Sequence, residues 1–254
     1  MRPPDARLHG RQAGHRLRPR QQALLHTLLP RLRYPIGTAP REAFGPFDRL
    51  GLEVGFGGGE HSHALVQADP AFALIACEVF EPGLCSMLSR LAPEEIDTEM
   101  PTNLRLWDND ARLLMRTLPR DCLDFAFLMF PDPWPKLRHA KRRFVHPDQV
   151  PLVARLVRPG GMWRVATDDP TYQAWVMEVM AMQNLFDAPA PETARPAGWP
   201  PTRYEAKAIR AGRMPLYWTF TRTGVAVADD APDTVPDSVP DSVPDTLADD
   251  VTLA

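Results

Sequence analysis

The chain has 254 residues, of which 44% are hydrophobic and 24% charged, enough to bury the core of one large α/β domain. No apolar run is long enough to cross a bilayer, and the arginine-rich N-terminus lacks the apolar segment of a secretory signal. The three cysteines form no CxxC pair, which argues against a disulfide framework or a zinc site and indicates a reducing compartment, the cytoplasm. His61 and His63 lie two residues apart, off a common helical face, so no metal site is expected.

Charge is distributed unevenly along the chain. The formal net charge is −3, but residues 229–254 contain eight aspartates and no lysine or arginine. Without that tail, 29 basic residues stand against 24 acidic ones, a net charge of +5 that suits a nucleic-acid partner. The tail repeats Val-Pro-Asp-Ser/Thr, and its regular prolines exclude helix. We expect a basic, partly disordered arm at 1–44 with a short helix near 21–32, a folded domain at 45–228, and a disordered acidic tail at 229–254.

A glycine-rich turn follows the first predicted strand, Leu50–Val54, which includes Glu53. The turn contains Gly55 and Gly57, which let the backbone approach a ligand closely, and a helix is predicted over 60–67. The third glycine of a dinucleotide fingerprint is replaced by Glu60, and the Gly-Lys-Ser/Thr of a phosphate loop is absent. The turn therefore suits a cationic ligand without phosphate, and S-adenosylmethionine fits that description.

Acidic residues also follow the next two predicted strands. Ala73–Val79 contains Glu78 near its end, 23 residues after the first glycine of the turn, close to the spacing of a ribose-binding carboxylate. Asn103–Trp107 is followed by Asp108 and Asp110. Either aspartate could accept a hydrogen bond from the adenine amino group, and the sequence does not choose between them.

The apolar strand Phe125–Phe130 runs into three alternating prolines at positions 131, 133 and 135. Proline disfavours helical geometry in the residue before it, so Phe130, Asp132 and Trp134 are expected to be extended. Asp132 is thereby expected at the carboxyl end of a buried strand, where open α/β sheets place their ligands.

A basic segment begins directly after this turn. Its ionisable side chains are Lys136, Arg138, His139, Lys141, Arg142 and Arg143. A carboxylate, a large aromatic residue and dense positive charge within a short stretch indicate chemistry on a polyanion. The alternative is a solvated charged surface without a partner.

The remaining elements continue the alternation of strands and helices. Helices are predicted over 82–91, 147–157 and 172–183, and strands over 162–167 and 216–222. Residues 158–161 are predicted as a turn, and 186–201 as a long loop facing the substrate. Thr202 and Glu205 have the spacing of a helix capping box. The pattern predicts an α/β fold with a mostly parallel, twisted sheet and helices on both faces.

Taken together, the motifs from about Gln21 to Thr223 resemble those of the bacterial tRNA (guanine-N7-)-methyltransferase family. The motifs that carry the resemblance are LEVGFGGGEH, CEVF, NLRLWDNDA, FPDPWPKLRHAKRR, ATDDPTY and TRYE. The fourth of these is the most specific. The last usually reads TKFE in the family, so Arg203 and Tyr204 are substitutions that keep charge and aromaticity.

The resemblance implies a Rossmann-like class I fold that uses S-adenosylmethionine to methylate N7 of a guanine at position 46, in the variable loop of tRNA. It implies that Asp132 is the catalytic residue. Residues expected to bind the methyl donor are Glu53, Gly55, Gly57, Glu78, Asp110 and Asp132. The expected tRNA contacts, besides the basic segment, are Asp168, Thr202, Arg203, Tyr204 and Glu205. The assembly is expected to be a monomer or a homodimer.

Guanine N7 carries a lone pair and no proton, so methyl transfer to it needs no general base. Asp132 is therefore expected to hold the base or the donor, or to stabilise the developing cation. Three alternatives remain open. These are a methyltransferase that acts on an exocyclic amine, a non-catalytic RNA-binding protein, and a nicotinamide dehydrogenase, which Glu60 disfavours.

Deleting residues 229–254 should leave methyltransferase activity intact at moderate salt, because the repeat contains nothing that can bury a core. Initial rates of the truncated and full-length chains on tRNA at equal salt measure this. A large loss of activity would contradict the prediction.

Overall fold

The computed structural model describes residue 14 and residues 16–96 and 98–227. The start of the predicted arm and the acidic tail, both expected to be disordered, lie outside the described residues. Within these ranges one sheet of seven strands has the order β3-β2-β1-β4-β5-β7-β6. The strands are β1 (Arg49–Val54), β2 (Phe72–Cys77), β3 (Leu104–Trp107), β4 (Leu123–Met129), β5 (Val157–Thr167), β6 (Phe186–Asp187) and β7 (Leu216–Arg222). Strands β1 to β5 are parallel, and β7 lies antiparallel to both β5 and β6.

The helices are α1 (Pro19–Thr27), α2 (Leu29–Leu32), α3 (Pro40–Phe44), α4 (Glu60–Ala68), α5 (Glu81–Leu91), α6 (Ala111–Thr117), α7 (Val150–Leu156), α8 (Pro170–Ala181) and α9 (Arg203–Arg210), with a 3-10 helix at Leu137–Arg142. They cover both faces of the sheet. In β2, Ala73 and Ile75 pack into one apolar cluster, and Leu74 and Ala76 into another. This period of two follows from the pleat of a strand buried on both faces. The predicted doubly covered α/β fold is confirmed.

Much of the segment predicted as a basic arm is folded onto the domain. Leu24 and Leu28 are 0% exposed and pack in the apolar cluster on one face of the sheet. The backbone N–H of Tyr34 donates to the Leu106 carbonyl at 2.8 Å, beside β3. The Arg20 guanidinium donates to the Ala92 carbonyl at the end of α5, at 2.6 Å. The apolar residues between the arginines, and not the net charge, decide where this segment lies.

Two predicted connections differ in the structure. Residues 158–161, predicted as a turn, belong to β5, where the pairing with β4 shifts register. Asp124 on β4 accepts from the Arg158 Nε at 2.7 Å, which holds the irregular stretch against the sheet. Residues 186–201, predicted as a loop, begin with β6 and contain a bridge from Glu192 to Tyr217. Backbone pairing with β7 orders this segment.

Leu28→Ala should lower the free energy of unfolding by about 3 kcal/mol, because it removes a fully buried side chain and leaves a cavity. Urea denaturation followed by circular dichroism measures the change. Leu137→Ala is the matched control, since Leu137 is 81% exposed, and it should change the free energy little. Equal effects of both substitutions would show that the N-terminal segment does not belong to the core.

Candidate functional site

The connections that follow β1, β2, β3 and β4 border one cavity of about 430 Å³ at the carboxyl edge of the sheet. Strand β1 lies between β2 and β4, where the strand order reverses, which is the usual ligand position in open α/β sheets. The residues named from the sequence that line the cavity are Gly55, Gly57, Glu78, Asp110, Asp132, Lys141, Arg142, Arg143 and Tyr204. Outside this lining are Glu53, Lys136, Arg138, His139, Asp168, Thr202, Arg203 and Glu205.

The glycine turn is enclosed from two sides. Gly57 has a φ of 58°, and a Cβ at this position would lie 2.8 Å from the Tyr204 ring of α9. On the other side, a Cβ on Gly83 of α5 would lie 2.5 Å from the Gly57 carbonyl oxygen. The Arg90 Nε of the same helix donates to the Gly58 carbonyl at 2.9 Å. Glycine is required because a side chain would fill the space between the turn and its neighbours.

Glu78 anchors the turn through three backbone hydrogen bonds. Its carboxylate accepts from the N–H groups of Gly57, Val79 and Phe80 at 2.7, 2.8 and 2.9 Å. Burial raises the pKa of Glu78, the three hydrogen bonds oppose this, and the negative charge of Asp132 adds to the increase. Two carboxyl groups thus act on one cavity and make it attractive to a cation.

Asp110, and not Asp108, lines the cavity. Asp110 caps α6, and its carboxylate accepts from the Arg112 backbone N–H at 2.9 Å and from the Arg112 Nη2 at 2.6 Å. Asp108 pairs instead with Arg33, whose Nε and Nη2 donate to its two oxygens at 2.9 and 2.6 Å. The sequence did not choose between the two aspartates, and in the structure it is Asp110 that lies at the cavity.

The turn after β4 does not have the expected extended geometry. Phe130 and Trp134 have φ values of 52° and 44°, in the left-handed region, although each precedes a proline. The expectation that both are extended is wrong, because contacts from the surrounding fold outweigh the local steric preference. The Phe130 backbone N–H donates to the Ala166 carbonyl of β5 at 2.8 Å, which fixes where the turn begins.

Asp132 lies in this turn at the cavity wall and is exposed. Among the described residues, no hydrogen bond or ion pair to its carboxylate is found. Its charge acts on Glu78 across the cavity. The carboxylate is therefore available to a ligand, as the sequence predicted for a residue held by prolines on both sides.

The basic segment reaches the cavity at its end, where Lys141 and Arg142 line the wall. Lys136, Arg138 and Lys141 are exposed. The Arg142 guanidinium lies over the Trp134 ring, 4.8 Å from its centroid, and the His139 ring meets Trp134 edge-on at 5.9 Å. Partial desolvation and the neighbouring cations lower the pKa of His139.

Arg143 differs from the rest of the basic segment because it is only 4% exposed. Its Nε and Nη2 donate to the carbonyls of Pro133 and Trp134 at 3.2 and 3.0 Å. Burial and these two hydrogen bonds distinguish Arg143 from the exposed cations of the segment, with which the sequence grouped it as an RNA contact.

The predicted capping box is confirmed at the start of α9. The Glu205 N–H donates to the Thr202 hydroxyl at 3.0 Å, and the Thr202 N–H to the Glu205 carboxylate at 3.4 Å. Glu205 also accepts from the Tyr217 hydroxyl at 2.7 Å and the Arg195 Nε at 3.0 Å. Burial, followed by the hydrogen bond that the Tyr217 hydroxyl donates to Glu205, raises the pKa of Tyr217. Both capping residues are buried, so they fix the position of α9 and of Tyr204.

Two further expected tRNA contacts are paired within the protein. Asp168 forms an ion pair with Arg213. Arg203 Nη2 donates to the Tyr204 hydroxyl at 3.1 Å, and its Nε lies 3.9 Å from the Glu60 carboxylate. Both groups remain partly exposed, so a ligand could still reach them.

Glu53 lies beneath the glycine turn and not in the cavity wall. It is 1% exposed, and its carboxylate accepts from the Ser62 hydroxyl of α4. The Nδ1 of His61 is 3.0 Å from the same oxygen, though not aligned for a hydrogen bond. The buried carboxylate joins β1 to α4, which differs from the direct donor contact expected from the sequence.

Several other residues of the cavity wall were not predicted from the sequence. Arg112, Phe144 and Gln149 line the cavity. Arg112 is brought there by its hydrogen bonds to Asp110, and Gln149 by the position of α7. No local motif marks them, because their role depends on how the helices pack.

In the described part of the chain, no group of three or more histidine, cysteine, aspartate or glutamate residues could hold a metal ion. In the same residues, no helix combines the length and the apolar character that a membrane span requires.

Comparison with known proteins assigns this architecture to a family. A family model described as "Putative methyltransferase" matches residues 48–216. A tRNA (guanine-N(7)-)-methyltransferase from Granulibacter bethesdensis is 62% identical over 222 residues, covering 86% of this chain and 96% of that protein. A protein of the same name from Rhodospirillum rubrum is 43% identical and covers 86% and 88%.

Among solved structures, an antibiotic-related methyltransferase has a TM-score of 0.52 at 14% identity, covering 72% of this chain and 92% of that one. The 16S rRNA methyltransferase KamB has a TM-score of 0.50 at 16% identity, covering 71% and 92%. These structures share the class I methyltransferase fold. The sequence relatives are far more similar and share one name, so this chain belongs to the tRNA (guanine-N7-)-methyltransferase family.

Proposed function

We propose that this protein transfers a methyl group from S-adenosylmethionine to N7 of a guanine in tRNA, at position 46 of the variable loop. The observation that carries the proposal is the placement of Asp132, which lies on the same cavity as the glycine turn and has its carboxylate available. The names of the relatives support methyl transfer to guanine N7 of tRNA. The resemblance of the motifs supports position 46 of the variable loop as the nucleotide that is methylated. A tRNA substrate implies a cytoplasmic reaction, and we expect the protein to act as a monomer or homodimer.

The cavity fits the proposed methyl donor. The left-handed Gly57 lets the turn pass close to Tyr204, and the carboxylates of Glu78 and Asp132 on the cavity wall suit a sulfonium and an ammonium group. We assign the donor's ribose hydroxyls to Glu78 and its adenine amino group to Asp110. Glu53 would act from below by holding the turn in place. When bound, S-adenosylmethionine supplies the electrophilic methyl group.

The protein's contribution to the reaction is positioning and charge. Guanine N7 has no proton to lose, so Asp132 need not act as a base. Positive charge appears on the purine as the bond forms, and the Asp132 carboxylate at the cavity wall stabilises that charge. Asp132 could also accept from the base N1–H and amino group, fixing its orientation. Trp134, beside Asp132 and braced by Arg142, offers an aromatic surface for a base removed from its stack.

Binding of tRNA would rely on the cations of the basic segment. Lys136 and Arg138 are exposed, Lys141 and Arg142 line the cavity, and all four would contact backbone phosphates. Asp168 and Arg203 lie in exposed ion pairs that could rearrange to contact the RNA. Thr202 and Glu205 are buried and would support that contact by fixing α9.

Nucleoside analysis of tRNA incubated with the protein and methyl-labelled donor tests this function. We expect label in N7-methylguanosine. Asp132→Asn should reduce turnover by about 10²-fold or more while donor binding persists, because it removes charge and keeps shape. Asp108→Asn is the matched control and should retain activity, since Asp108 pairs with Arg33 away from the cavity. Label in another nucleoside, or full activity of the Asp132 variant, would refute the proposal.

Gly57→Ala should weaken donor binding about tenfold, a cost of about 1.4 kcal/mol, because it strains a left-handed residue and contacts Tyr204. Isothermal titration calorimetry with S-adenosylmethionine measures the affinity. Gly37→Ala is the control, because its φ is 80° and no atom lies within 4 Å of the added Cβ. It should lower stability without changing affinity. Equal affinities of the two variants would place the donor elsewhere.

A further inference from the structure

Arg143 donates two hydrogen bonds from one guanidinium to consecutive carbonyls of the turn that carries Asp132. These are the carbonyls of Pro133 and Trp134, and Asp132 is the residue directly before them. With 4% of its surface exposed, Arg143 is inside the protein although it ends a basic segment. Its charge is therefore used within the fold.

The turn needs such an external donor. The prolines at 131, 133 and 135 have no N–H, so the turn cannot close itself with the usual backbone hydrogen bonds. Phe130 and Trp134 are both in the left-handed region, a conformation that costs about 1–3 kcal/mol per residue unless its surroundings impose it. The Phe130 N–H bonded to Ala166 fixes one end of the turn, and Arg143 fixes the other.

Arg143 is itself held by a rigid platform on α8. Its guanidinium lies over the Trp175 ring, 4.8 Å from the centroid. The Trp175 Nε1 donates to the Val145 carbonyl at 2.6 Å, and the Tyr172 hydroxyl accepts from the Val145 N–H at 3.1 Å. The backbone N–H of Arg143 donates to the Ala140 carbonyl at 2.9 Å. The N–H groups of the Arg143 guanidinium are thus fixed in place before any ligand binds.

We propose that Arg143 is a positioning residue, which holds the Asp132 turn at the cavity wall, and that it makes no contact with tRNA. The inference rests on the proposed function for Asp132. Two carbonyls must be reached at once, so the planar fork of arginine is required, and the single ammonium of lysine cannot replace it. Arg142, one residue earlier, lines the cavity and has a different role, which is to contact a phosphate of the tRNA.

Arg143→Lys separates the two roles, because it keeps the positive charge and removes the fork. We expect kcat to fall about 10²-fold, the size typical of a small misplacement of a reacting group, with KM for tRNA unchanged. The salt dependence of tRNA binding, measured by filter binding, should also be unchanged. Arg142→Ala, the matched variant, should raise KM and reduce the slope of log K against log salt by about 1.

Hydrogen exchange provides a readout that does not require turnover. In Arg143→Lys, the amide of Phe130, which donates to Ala166 at the start of the turn, should exchange faster, while the amides of the sheet keep their protection. A kcat equal to that of the parent chain, or exchange at Phe130 that does not change, would overturn the inference. A reduced salt slope in Arg143→Ala, as in Arg142→Ala, would also overturn it and make Arg143 a phosphate contact.

The two proposals fail in different ways. If the parent chain does not methylate tRNA, the proposed function is refuted, and the exchange rate of the Phe130 amide still decides the role of Arg143. If the parent chain methylates N7 and Arg143→Lys does so at the same rate, only the positioning role is refuted.

Discussion

A strained backbone turn, fixed at both ends, is the constraint on which the candidate site depends. Phe130 is anchored to the neighbouring strand through Ala166, and Trp134 is anchored through Arg143. Between these anchors the prolines leave the chain few conformations, and within the described residues no hydrogen bond holds the Asp132 carboxylate. Strain of this kind persists only where the surrounding structure imposes it, and it is concentrated at functional sites. Rigidity of the backbone here replaces the hydrogen-bond partners that usually orient a carboxylate.

The cavity brings both signs of charge together. Glu78 and Asp132 line it, and so do four basic residues, Arg112, Lys141, Arg142 and Arg143. The carboxylates suit a cationic ligand, while the basic side chains suit the phosphates of a polyanion. The net charge of the whole chain, −3, conceals this arrangement because the terminal repeat is acidic.

The sequence predicted the features that depend on local patterning. The alternation of strands and helices followed from the apolar runs, the glycine turn followed from the glycines after the first strand, and the capping box followed from its spacing. It failed where contacts between distant residues decide the outcome. The left-handed Trp134 opposes its own pre-proline preference, and the burial of Arg143 contradicts its basic surroundings. Glu53 was named from a motif, yet its carboxylate binds Ser62 beneath the turn. Each of these depends on how helices pack onto the sheet, which periodicity does not encode.

The cover that Tyr204 forms over Gly57 links the start of the domain to its end. Helix α9 is held in place by Glu205, whose partner Tyr217 lies on β7, a strand inserted between β5 and β6. On the ribosome, the first four strands would therefore emerge with one wall of the cavity still missing. The nascent protein acquires its complete pocket only after β7 has paired, so an incomplete chain cannot sequester the small molecule that the finished enzyme uses.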